Sequence, residues 1–310
     1  MAEDSNEMLR SEQAVIIKGV GGLYSVYFDG RIYDCPARGI FRKEGIKPLV
    51  GDRVVLGEID GNKNTAVIDK ISERKNSLIR PSSANIDMIA AVVATGRPEP
   101  DLLLLDKLIV SAEMKKIDVL LIINKADNDP QMALSIEKEY KNAVLHCAIA
   151  STKDSTGREE LLRLLKGKTT ILAGQSGAGK SSLTNFLSGS EIMETGDLSR
   201  KTERGKNTTR HTEMFILPKE NEEDPPSFII DSPGFSLFET EQATSAGLKD
   251  TYREIYMNPG LCRFQDCSHT GEPDCFVRKL VEKGVFPKGR YERYVHIFKE
   301  LKEKERNRYK

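Results

Sequence analysis

The sequence contains no tryptophan and no long apolar run, and its start lacks the features of an export signal. A helix that crosses a bilayer needs about 18 or more consecutive apolar residues, and the candidate run 102–110 is interrupted by Asp106 and Lys107. A secretory signal has a basic start and an apolar segment, whereas residues 1–13 are acidic and polar. We therefore expect a cytoplasmic protein with no membrane partner, in which residues 1–13 form a disordered tail.

The sequence also lacks a net charge. Among its 310 residues, Lys and Arg together number 47, and Asp and Glu together also number 47. The overall charge therefore favours neither acidic nor basic partners. Positive charge is concentrated near the end of the chain, where residues 278–310 hold twelve Lys or Arg against five Glu. Information about partners must come from this distribution and from the motifs.

The length predicts two or three domains. Residues 14–72 alternate short apolar runs with turns such as Asp29-Gly30, which are hairpin signals. About five strands in this space favour an OB-fold barrel, with an SH3-like barrel as the alternative. Residues 80–245 alternate apolar strands with helices, which predicts an α/β domain with a parallel sheet covered on both faces. Residues 246–310 are predicted to form an α-helical domain.

The alternating region gives specific expectations for its elements. Strands are predicted at Ile86–Ala94, Val119–Ile123, Ala143–Ile149, Thr169–Ala173 and Phe228–Ile230. Helices are predicted at Leu102–Lys115, Met132–Lys141, Arg158–Leu165 and Lys180–Leu187, and a charged helix at Tyr291–Asn307. In a parallel sheet of this type, ligands bind beyond the carboxyl ends of the strands.

A glycine-rich loop lies between the strand that ends at Ala173 and the helix that begins at Lys180. Its spacing, G-x-x-x-x-G-K-S, places backbone N–H groups around nucleotide phosphates at the start of a helix. In this pattern Lys180 reaches the β- and γ-phosphates and the Ser181 hydroxyl binds Mg²⁺. The predicted nucleotide contacts are Gly174, Gln175, Ser176, Gly177, Ala178, Gly179, Lys180, Ser181 and Ser182.

The segment Asn124-Lys125-Ala126-Asp127 directly follows a predicted strand and matches a guanine-specificity motif. The Asp127 carboxylate can accept hydrogen bonds from N1–H and N2–H₂ of guanine, whereas adenine would leave it unpaired. The Lys125 stem can cover the base, and Asn124 can hold the loop and the base edge. Ser151 begins a further segment, 151–153, that fits a base-contacting loop.

Contacts to the metal and the γ-phosphate are predicted from two other segments. Asp231 follows a predicted strand, within Asp231-Ser232-Pro233-Gly234. In this motif the Asp holds Mg²⁺ through water and the Gly234 N–H senses the γ-phosphate. Residues 200–210 are rich in Arg, Lys, Gly and Thr and lie where a switch loop belongs. Thr209 is predicted to bind Mg²⁺ and sense the γ-phosphate, with Thr208 as the second choice.

Three of the five cysteines are crowded together with a histidine. The pattern C-x₄-C-x-H-x₅-C is formed by Cys262, Cys267, His269 and Cys275. In a reducing compartment such a cluster is more often a metal site than a disulfide. Four soft ligands with no open position suit one tetrahedral Zn²⁺ in a structural role. Cys35 and Cys147 stand alone, and both are predicted to be small buried side chains.

The order of the motifs is unusual, because Asn124–Asp127 precedes Gly174–Ser181, which precedes Asp231–Gly234. In an ordinary small GTPase the phosphate loop comes first, so this chain carries the same parts in a circularly permuted order. With Thr209 and the segment 262–275, this order resembles the RsgA/YjeQ family of ribosome small-subunit-dependent GTPases. The resemblance covers nearly the whole chain.

The resemblance implies slow GTP hydrolysis, strongly stimulated by the small ribosomal subunit during late subunit maturation. It implies GTP and GDP with Mg²⁺ as ligands, and contacts from the barrel and the zinc domain to small-subunit rRNA. The family's fold would then be an OB-fold barrel, a circularly permuted P-loop GTPase domain and a helical zinc-binding domain. We expect the chain to be a monomer with one zinc.

The residue that positions the attacking water is the one departure from the family. The family has a histidine, credited with a catalytic role, directly before the paired threonines of the switch loop. This chain has Asn207 at that place, and His211 lies four positions further on, so both are candidates for the role. Phe235 follows Gly234, in a region where Ras-like enzymes use a glutamine to orient water, and a phenyl ring cannot do so.

The sequence thus predicts a GTP hydrolase that acts as a late-stage biogenesis factor of the small ribosomal subunit. The alternative is a nucleotide-gated RNA-binding module with negligible turnover, and single-turnover hydrolysis with and without subunits distinguishes the two. A metabolic kinase with the same phosphate loop is a second alternative, against which the guanine motif argues.

Overall fold

A computed structural model of the chain describes residues 14–39, 41, 45–189, 212–231, 243–258, 260 and 262–308. The chain divides into two compact units. The first is Met1–Asp87, Leu165–Leu172 and Thr184–Phe235, and the second is Met88–Leu164, Ala173–Leu183 and Ser236–Lys310. The domain extents of 14–72, 80–245 and 246–310 stay predictions.

Strands come first along the chain, helices and strands then alternate from residue 102 to residue 231, and helices follow from residue 253. The strands are β1 (Ala14–Val20), β2 (Leu23–Phe28), β3 (Arg31–Pro36), β4 (Arg53–Asp60), β5 (Thr65–Ile71), β6 (Ser77–Leu78), β7 (Ser83–Ala84), β8 (Met88–Ala94), β9 (Asp118–Asn124), β10 (His146–Ile149), β11 (Thr169–Ala173), β12 (Glu213–Ile216) and β13 (Phe228–Asp231). The helices are α1 (Leu102–Met114), α2 (Pro130–Tyr140), α3 (Arg158–Leu165), α4 (Lys180–Ser188), α5 (Arg253–Tyr256), α6 (Phe276–Glu282) and α7 (Lys288–Arg308).

Strands β1 to β5 close into a small barrel in the first unit. Their order is β1-β2-β3-β5-β4, and β4 pairs back with β1, where Ala14 is opposite Val54. Strands β3 and β5 are parallel, while the other neighbours are antiparallel. This is the arrangement of an OB-fold barrel, so the structure favours that prediction over the SH3-like alternative.

The barrel core is built by strand alternation, because successive side chains of a strand face opposite sides. The core residues are Ala14, Ile16, Val26, Tyr33, Cys35, Phe41, Val54, Leu56, Ala66 and Ile68. The turn between β2 and β3 is Asp29-Gly30, with φ values of 47° and 75°, as a two-residue hairpin requires. Cys35 is fully buried, as predicted.

The first unit also contains strands that extend the sheet beyond the barrel. Strand β12 pairs with β1, where Lys18 is opposite Glu213, and Lys18 Nζ lies 2.8 Å from Glu213 Oε1. Strand β12 is antiparallel to β13, which is parallel to β11. Glu213 is also opposite Asp231, so strand pairing connects the end of β13 to the barrel.

Strands β8, β9 and β10 form a parallel set in the second unit, with β9 in the middle. All of β8 is buried, as is β9 after Asp118, which is expected of a parallel sheet with both faces covered. The elements predicted between residues 86 and 230 are confirmed to within three residues at each end. Strand β10 differs most, because Ala143 and Val144 are buried in the turn after α2 instead of extending the strand.

Cys147 lies on β10 and is only half-buried, so the prediction of a buried side chain is wrong for this residue. Among the described strands, β10 is at the end of the sheet and pairs with β9 alone, so neighbouring elements cover it less than they cover β8. Burial still raises the pKa of the Cys147 thiol to about 12.

The C-terminal region of the second unit packs around α7. This helix begins at Lys288, three residues before the predicted start. Its predicted apolar face, Tyr294, Ile297, Phe298 and Leu301, is buried in one core with Val110 of α1 and Leu248. A membrane-spanning helix would have to be longer and more apolar than any helix in the described part of the chain.

Candidate functional site

The glycine-rich loop connects β11 to α4, and its glycines have backbone angles that other residues rarely adopt. The φ angle is +140° at Gly174 and +92° at Gly179. A side chain at Gly174 would meet the Val92 carbonyl oxygen, and one at Gly179 would meet the Asn124 amide. The loop therefore follows a path that glycine allows, and its backbone approaches the neighbouring loops closely.

Lys180 begins α4, and its side chain turns back over the loop. Its Nζ donates hydrogen bonds to the carbonyl oxygens of Gly174, at 2.9 Å, and Gln175, at 3.0 Å. The first turn of a helix also carries free N–H groups and partial positive charge. Ser181 and Ser182 are half-buried in this turn. The arrangement suits a phosphate anion held by the loop.

The middle of the loop differs from its ends in exposure. Ser176 and Gly177 are exposed, whereas Ala178 is buried, and the φ of Gly177 is +78°. A ligand can reach the exposed residues, and the buried alanine is fixed by the hydrogen bond from Asn124 to its carbonyl oxygen. The loop is thus anchored on one side and open on the other.

The predicted guanine motif lies directly against the phosphate loop. Asn124 Nδ2 donates to the Ala178 carbonyl oxygen at 2.9 Å, and Lys125 Nζ donates to the Gly177 carbonyl oxygen at 2.7 Å. Asn124 is fully buried, and its Oδ1 has no hydrogen-bond partner among the described residues. A buried acceptor without a partner is costly, so this oxygen fits a donor from a bound ligand.

Thr95 holds the guanine motif from the neighbouring strand, and sequence reasoning misses it. Its N–H donates to the Asn124 carbonyl oxygen at 3.0 Å, and its Oγ1 donates to the Lys125 carbonyl oxygen at 2.6 Å. Lys125 has a φ of +57°, an angle that needs such support. In the parallel register of β8 and β9, Ala94 lies opposite Asn124. Thr95, the next residue of its strand, is therefore placed beside Lys125.

The Asp127 carboxylate is held on one side and accessible on the other. Ser151 Oγ donates to Asp127 Oδ1 at 2.8 Å, and Lys153 Nζ lies 3.6 Å from Oδ2. Ser151 is fully buried, whereas the Asp127 side chain is 17% exposed. A carboxylate has about four acceptor positions, so Asp127 keeps some for a ligand. Ser151 therefore orients Asp127, besides its predicted contact with the base.

The side chain of Gln175 binds a segment outside the loop. Its Oε1 accepts from the Asp101 N–H at 2.6 Å, and its Nε2 donates to the Glu99 carbonyl oxygen at 2.8 Å. Asp101 in turn caps α1, because its carboxylate accepts from the Leu104 N–H at 2.8 Å. The Gln175 side chain thus connects the loop to α1, while its backbone remains a predicted nucleotide contact.

The predicted metal and switch residues lie partly beyond the described part of the chain. Asp231 is buried at the carboxyl end of β13 in the first unit, where ligands of parallel sheets bind. The residues outside the described ranges are Asn207, Thr208, Thr209, His211, Gly234 and Phe235. Their roles stay predictions.

The four predicted zinc ligands come together in the second unit. The ligand atoms of Cys262, Cys267, His269 and Cys275 all lie within 4.8 Å of one another. His269 Nδ1 is 3.6 Å from Cys262 Sγ and 3.5 Å from Cys275 Sγ. Tetrahedral zinc, with bonds of about 2.0–2.3 Å, separates its ligands by about 3.5–3.8 Å. The donor set therefore fits one zinc with no open position.

Residues distant in sequence support the backbone of this cluster. Tyr291 Oη donates to the His269 carbonyl oxygen at 2.9 Å, and Tyr294 Oη donates to the Ser268 carbonyl oxygen at 2.8 Å. Burial alone would raise the pKa of Glu272, but hydrogen bonds from Ser268 and the local backbone lower this pKa to about 2. The carboxylate therefore stays ionised. The motif alone predicts none of these contacts.

Burial also sets the protonation of the ligands. It raises the pKa of the Cys267 thiol to about 12 and lowers the pKa of His269. A neutral imidazole can bind a metal, whereas thiols must first lose their protons, so metal binding would release protons.

A phosphate loop that is bound by a guanine motif from an earlier strand defines a circularly permuted GTPase. The chain belongs to the RsgA GTPase family. The model of the RsgA GTPase matches residues 71–241, and that of the RsgA N-terminal domain matches residues 13–68. The family predicted from the sequence is therefore confirmed.

Relatives and solved structures agree with this assignment over nearly the whole chain. The small ribosomal subunit biogenesis GTPase RsgA of Ruminiclostridium cellulolyticum is 41% identical, with 93% of each chain covered. That of Agathobacter rectalis is 39% identical, covering 94% of this chain and 98% of the relative. The crystal structure of YjeQ from Thermotoga maritima has a TM-score of 0.74 at 30% identity, covering 93% and 97% of the two chains. That of YloQ, a circularly permuted GTPase, has a TM-score of 0.72 at 29% identity, covering 94% and 95%.

Proposed function

We propose that this GTPase acts in late biogenesis of the small ribosomal subunit, where it binds subunit rRNA and hydrolyses GTP faster on the subunit. The names of its relatives support the role in biogenesis. Binding of a guanine nucleotide is supported above all by the two hydrogen bonds that join Asn124 and Lys125 to the phosphate loop. They fix the distance between the base-recognition loop and the phosphate-binding loop.

Base selection would rest on Asp127. Its accessible carboxylate edge would accept from N1–H and N2–H₂ of guanine, while the bond from Ser151 to Oδ1 holds the carboxylate in place. An adenine base would leave the ligand-facing acceptor positions of the carboxylate without donors, and partly buried acceptors without donors discriminate against that base. Asn124 Oδ1, which is buried without a partner among the described residues, would gain a donor from the ligand.

Catalysis would depend on positioning and neutralisation of charge. Mg²⁺ bound with GTP supplies positive charge at the β- and γ-phosphates. We infer that Ser181, Thr209 and Asp231 hold this ion, that Lys180 binds the β- and γ-phosphates and that the Gly234 N–H senses the γ-phosphate. Asn207 and His211 are the two candidates for positioning the water.

The remaining ligands and partners follow from the same assignment. We infer that the Cys/His cluster holds one structural zinc, and that the barrel of residues 14–72 and the helical region of residues 246–310 contact rRNA. We also infer that residues 80–245 form the GTPase domain, and that the chain is a cytoplasmic monomer without a membrane partner.

The proposal is tested by single-turnover hydrolysis of GTP and of ATP, each with and without purified small subunits. We expect GTP to be cleaved slowly alone and many-fold faster with subunits, and ATP to be cleaved in neither condition. GTP-dependent subunit binding without any hydrolysis would instead support the RNA-binding module. Equal cleavage of ATP would contradict the role of Asp127.

A further inference from the structure

Helix α1 contacts the phosphate loop at its start and helix α7 along its length. At the start, the Gln175 side chain holds both the Glu99 carbonyl and the Asp101 N–H. Asp101 caps the helix through the Leu104 N–H. A displacement of the loop at Gln175 would therefore change the hydrogen bonds that fix the first turn of α1.

In the second turn of α1, Asp106 is fully buried and binds two arginines of α7. Arg290 Nη1 and Arg293 Nε each donate to one of its carboxylate oxygens. Arg290 is only 1% exposed, and its Nε lies 2.6 Å from Glu254 Oε1, which is also buried. Buried charges are tolerated when they are paired and hydrogen-bonded, and these groups satisfy that condition.

Aromatic rings and a further carboxylate fix the positions of the two guanidinium groups. Arg290 Cζ lies 5.0 Å from the Tyr140 ring centroid and 4.9 Å from that of Tyr252, within the range of cation–π contacts. Arg293 Nη2 donates to Glu139 Oε1 at 2.6 Å and to Tyr140 Oη at 3.0 Å. The planar groups are thus held in one orientation, and α2 is joined to the same network.

Helix α7 continues from this network to the Cys/His cluster. Tyr291 follows Arg290 directly and Tyr294 follows Arg293, and both hydroxyls hold backbone carbonyls of the cluster, those of His269 and Ser268. Direct contacts therefore connect the phosphate loop with the cluster, through α1 and α7. All of these residues belong to the second unit.

We propose that α1 and α7 couple the two sites, so that a bound guanine nucleotide raises the zinc affinity of the cluster and bound zinc raises the nucleotide affinity. This inference rests on the proposed function, because it requires nucleotide at the loop and zinc at the cluster. Asp106, Arg293 and the Gln175 side chain are positioning residues in it.

The physical reason is that α1 and α7 cannot separate freely. Parting α1 from α7 would take the buried Asp106 carboxylate away from both arginines and leave it unpaired, which is strongly unfavourable, so the two helices act as one body. The end contacts are hydrogen bonds of ordinary strength, two at Gln175 and two at the tyrosines, and these set the size of the effect. Couplings between sites are typically about 5–150-fold, and we expect the lower end, about fivefold to tenfold.

The experiment measures both affinities on the full chain. Zinc affinity is measured by equilibrium competition with a colorimetric chelator, with and without saturating GDP. GDP affinity is measured by calorimetry on zinc-loaded and zinc-free protein. Each pair of measurements gives a ratio, of zinc affinity with GDP to that without, and of GDP affinity with zinc to that without. Thermodynamic linkage requires these two ratios to be equal, and we expect each to be about fivefold to tenfold in the wild-type chain.

Two variants test the path. Gln175→Ala removes the contact between loop and α1, and Arg293→Met removes one of the two arginines on Asp106 while Arg290 still pairs with it. Gln175→Ala should bring the two ratios close to one, and Arg293→Met, which keeps Arg290 on Asp106, should lower both ratios by a smaller amount, whatever the variants do to the absolute affinities. The matched controls are Gln131→Ala on α2 and Arg306→Met on α7, both at exposed positions, and these should keep the wild-type ratios.

The outcomes separate this inference from the proposed function. Absence of any guanine-nucleotide binding would refute both. Normal binding of GDP and zinc with ratios of one in the wild-type chain would overturn the coupling alone. Wild-type ratios in both Gln175→Ala and Arg293→Met would overturn the path through α1 and α7. If Arg293→Met does not fold, as thermal melting would reveal, Gln175→Ala decides.

Discussion

The candidate nucleotide site and the Cys/His cluster are both built on short motifs, but they are held in shape differently. At the nucleotide site, motif residues bind one another, as Asn124 binds Ala178 and Ser151 binds Asp127, and accessible edges are left for a ligand. At the cluster the four ligand atoms converge with no open position, and Tyr291 and Tyr294 of a distant helix support the backbone.

This difference predicts different failures. A side chain removed from the nucleotide site should change ligand binding and leave the fold intact, because the site is supported by strands β8 and β9 whatever the ligand does. A ligand removed from the cluster should unfold the surrounding loops, because metal binding to four ligands of one short segment is coupled to the folding of that segment.

Lys180→Ala should reduce GTP hydrolysis by about 1,000-fold, the upper end for loss of one group that stabilises transition-state charge. The melting temperature should change little, since the hydrogen bonds from the ammonium to the Gly174 and Gln175 carbonyl oxygens stay within the loop. Single-turnover hydrolysis and thermal melting measure the two quantities. Lys138→Ala, at an exposed position of α2, is the control. Unchanged turnover in Lys180→Ala would remove this loop from the active site.

Asp127→Asn should weaken GDP binding about 100-fold and shift preference to xanthine nucleotides, whose 2-oxo group needs a donor. Calorimetric titration with GDP and XDP measures this change. Asp118→Asn, at an exposed position at the start of β9, should bind GDP normally. Full GDP affinity in Asp127→Asn would refute its assignment to base recognition.

Cys267→Ser should lose the zinc, about one per chain in the wild type, and unfold the segment 247–290 locally. We expect small-subunit affinity to fall more than tenfold, and intrinsic GTP hydrolysis to fall less. Elemental analysis, hydrogen exchange and subunit pelleting measure these effects. Cys147→Ser, outside the cluster, should keep the metal. A metal-free wild-type chain that is fully protected from exchange would contradict a structural zinc.

Asn207→His should raise hydrolysis about tenfold, which needs about 1.4 kcal/mol of transition-state stabilisation. An amide can hydrogen-bond the attacking water but cannot take its proton, whereas an imidazole can do both. Basal and subunit-stimulated rates are compared, with His211→Ala as the companion variant. If Asn207→His changes neither rate, the position is not catalytic. A large loss of stimulated rate in His211→Ala would place His211 in that role.

Thr95→Val should weaken GDP binding about fivefold, because the Lys125 carbonyl loses a hydrogen bond worth about 1 kcal/mol. The substitution keeps the shape of a fully buried residue, so the protein should fold. GDP titration is the measurement, with Thr65→Val at an exposed barrel position as the control. Wild-type affinity in Thr95→Val would mean that the strand alone holds the guanine loop.

Local sequence patterns predict much of this structure. Strand alternation and Asp29-Gly30 indicate the barrel, and the motifs indicate which strand ends carry the nucleotide site. These features depend on residues that are close together in the sequence, so they can be predicted from the sequence alone. The four predicted metal ligands lie within fourteen residues, which makes their convergence predictable as well.

The contacts that support the sites could not be predicted in the same way. Arg290 lies in a strongly charged helix, where an exposed side chain is expected, yet it is buried against Asp106, 184 positions earlier in the chain. The Gln175 side chain binds a segment 74 to 76 residues away. Such pairings depend on tertiary packing, which no local periodicity encodes. Thr95 is intermediate, because the parallel register places it once the strands are known.

We infer that the guanine motif and the phosphate loop, in permuted order, form one nucleotide site. The most direct test of this inference is calorimetric titration of the zinc-loaded wild-type chain with GDP and with ADP, each with Mg²⁺. We predict one GDP site per chain and at least about 100-fold weaker binding of ADP, because Asp127 would lose both hydrogen bonds to the base. Equal affinity for the two nucleotides, or no binding of GDP, would contradict the claim.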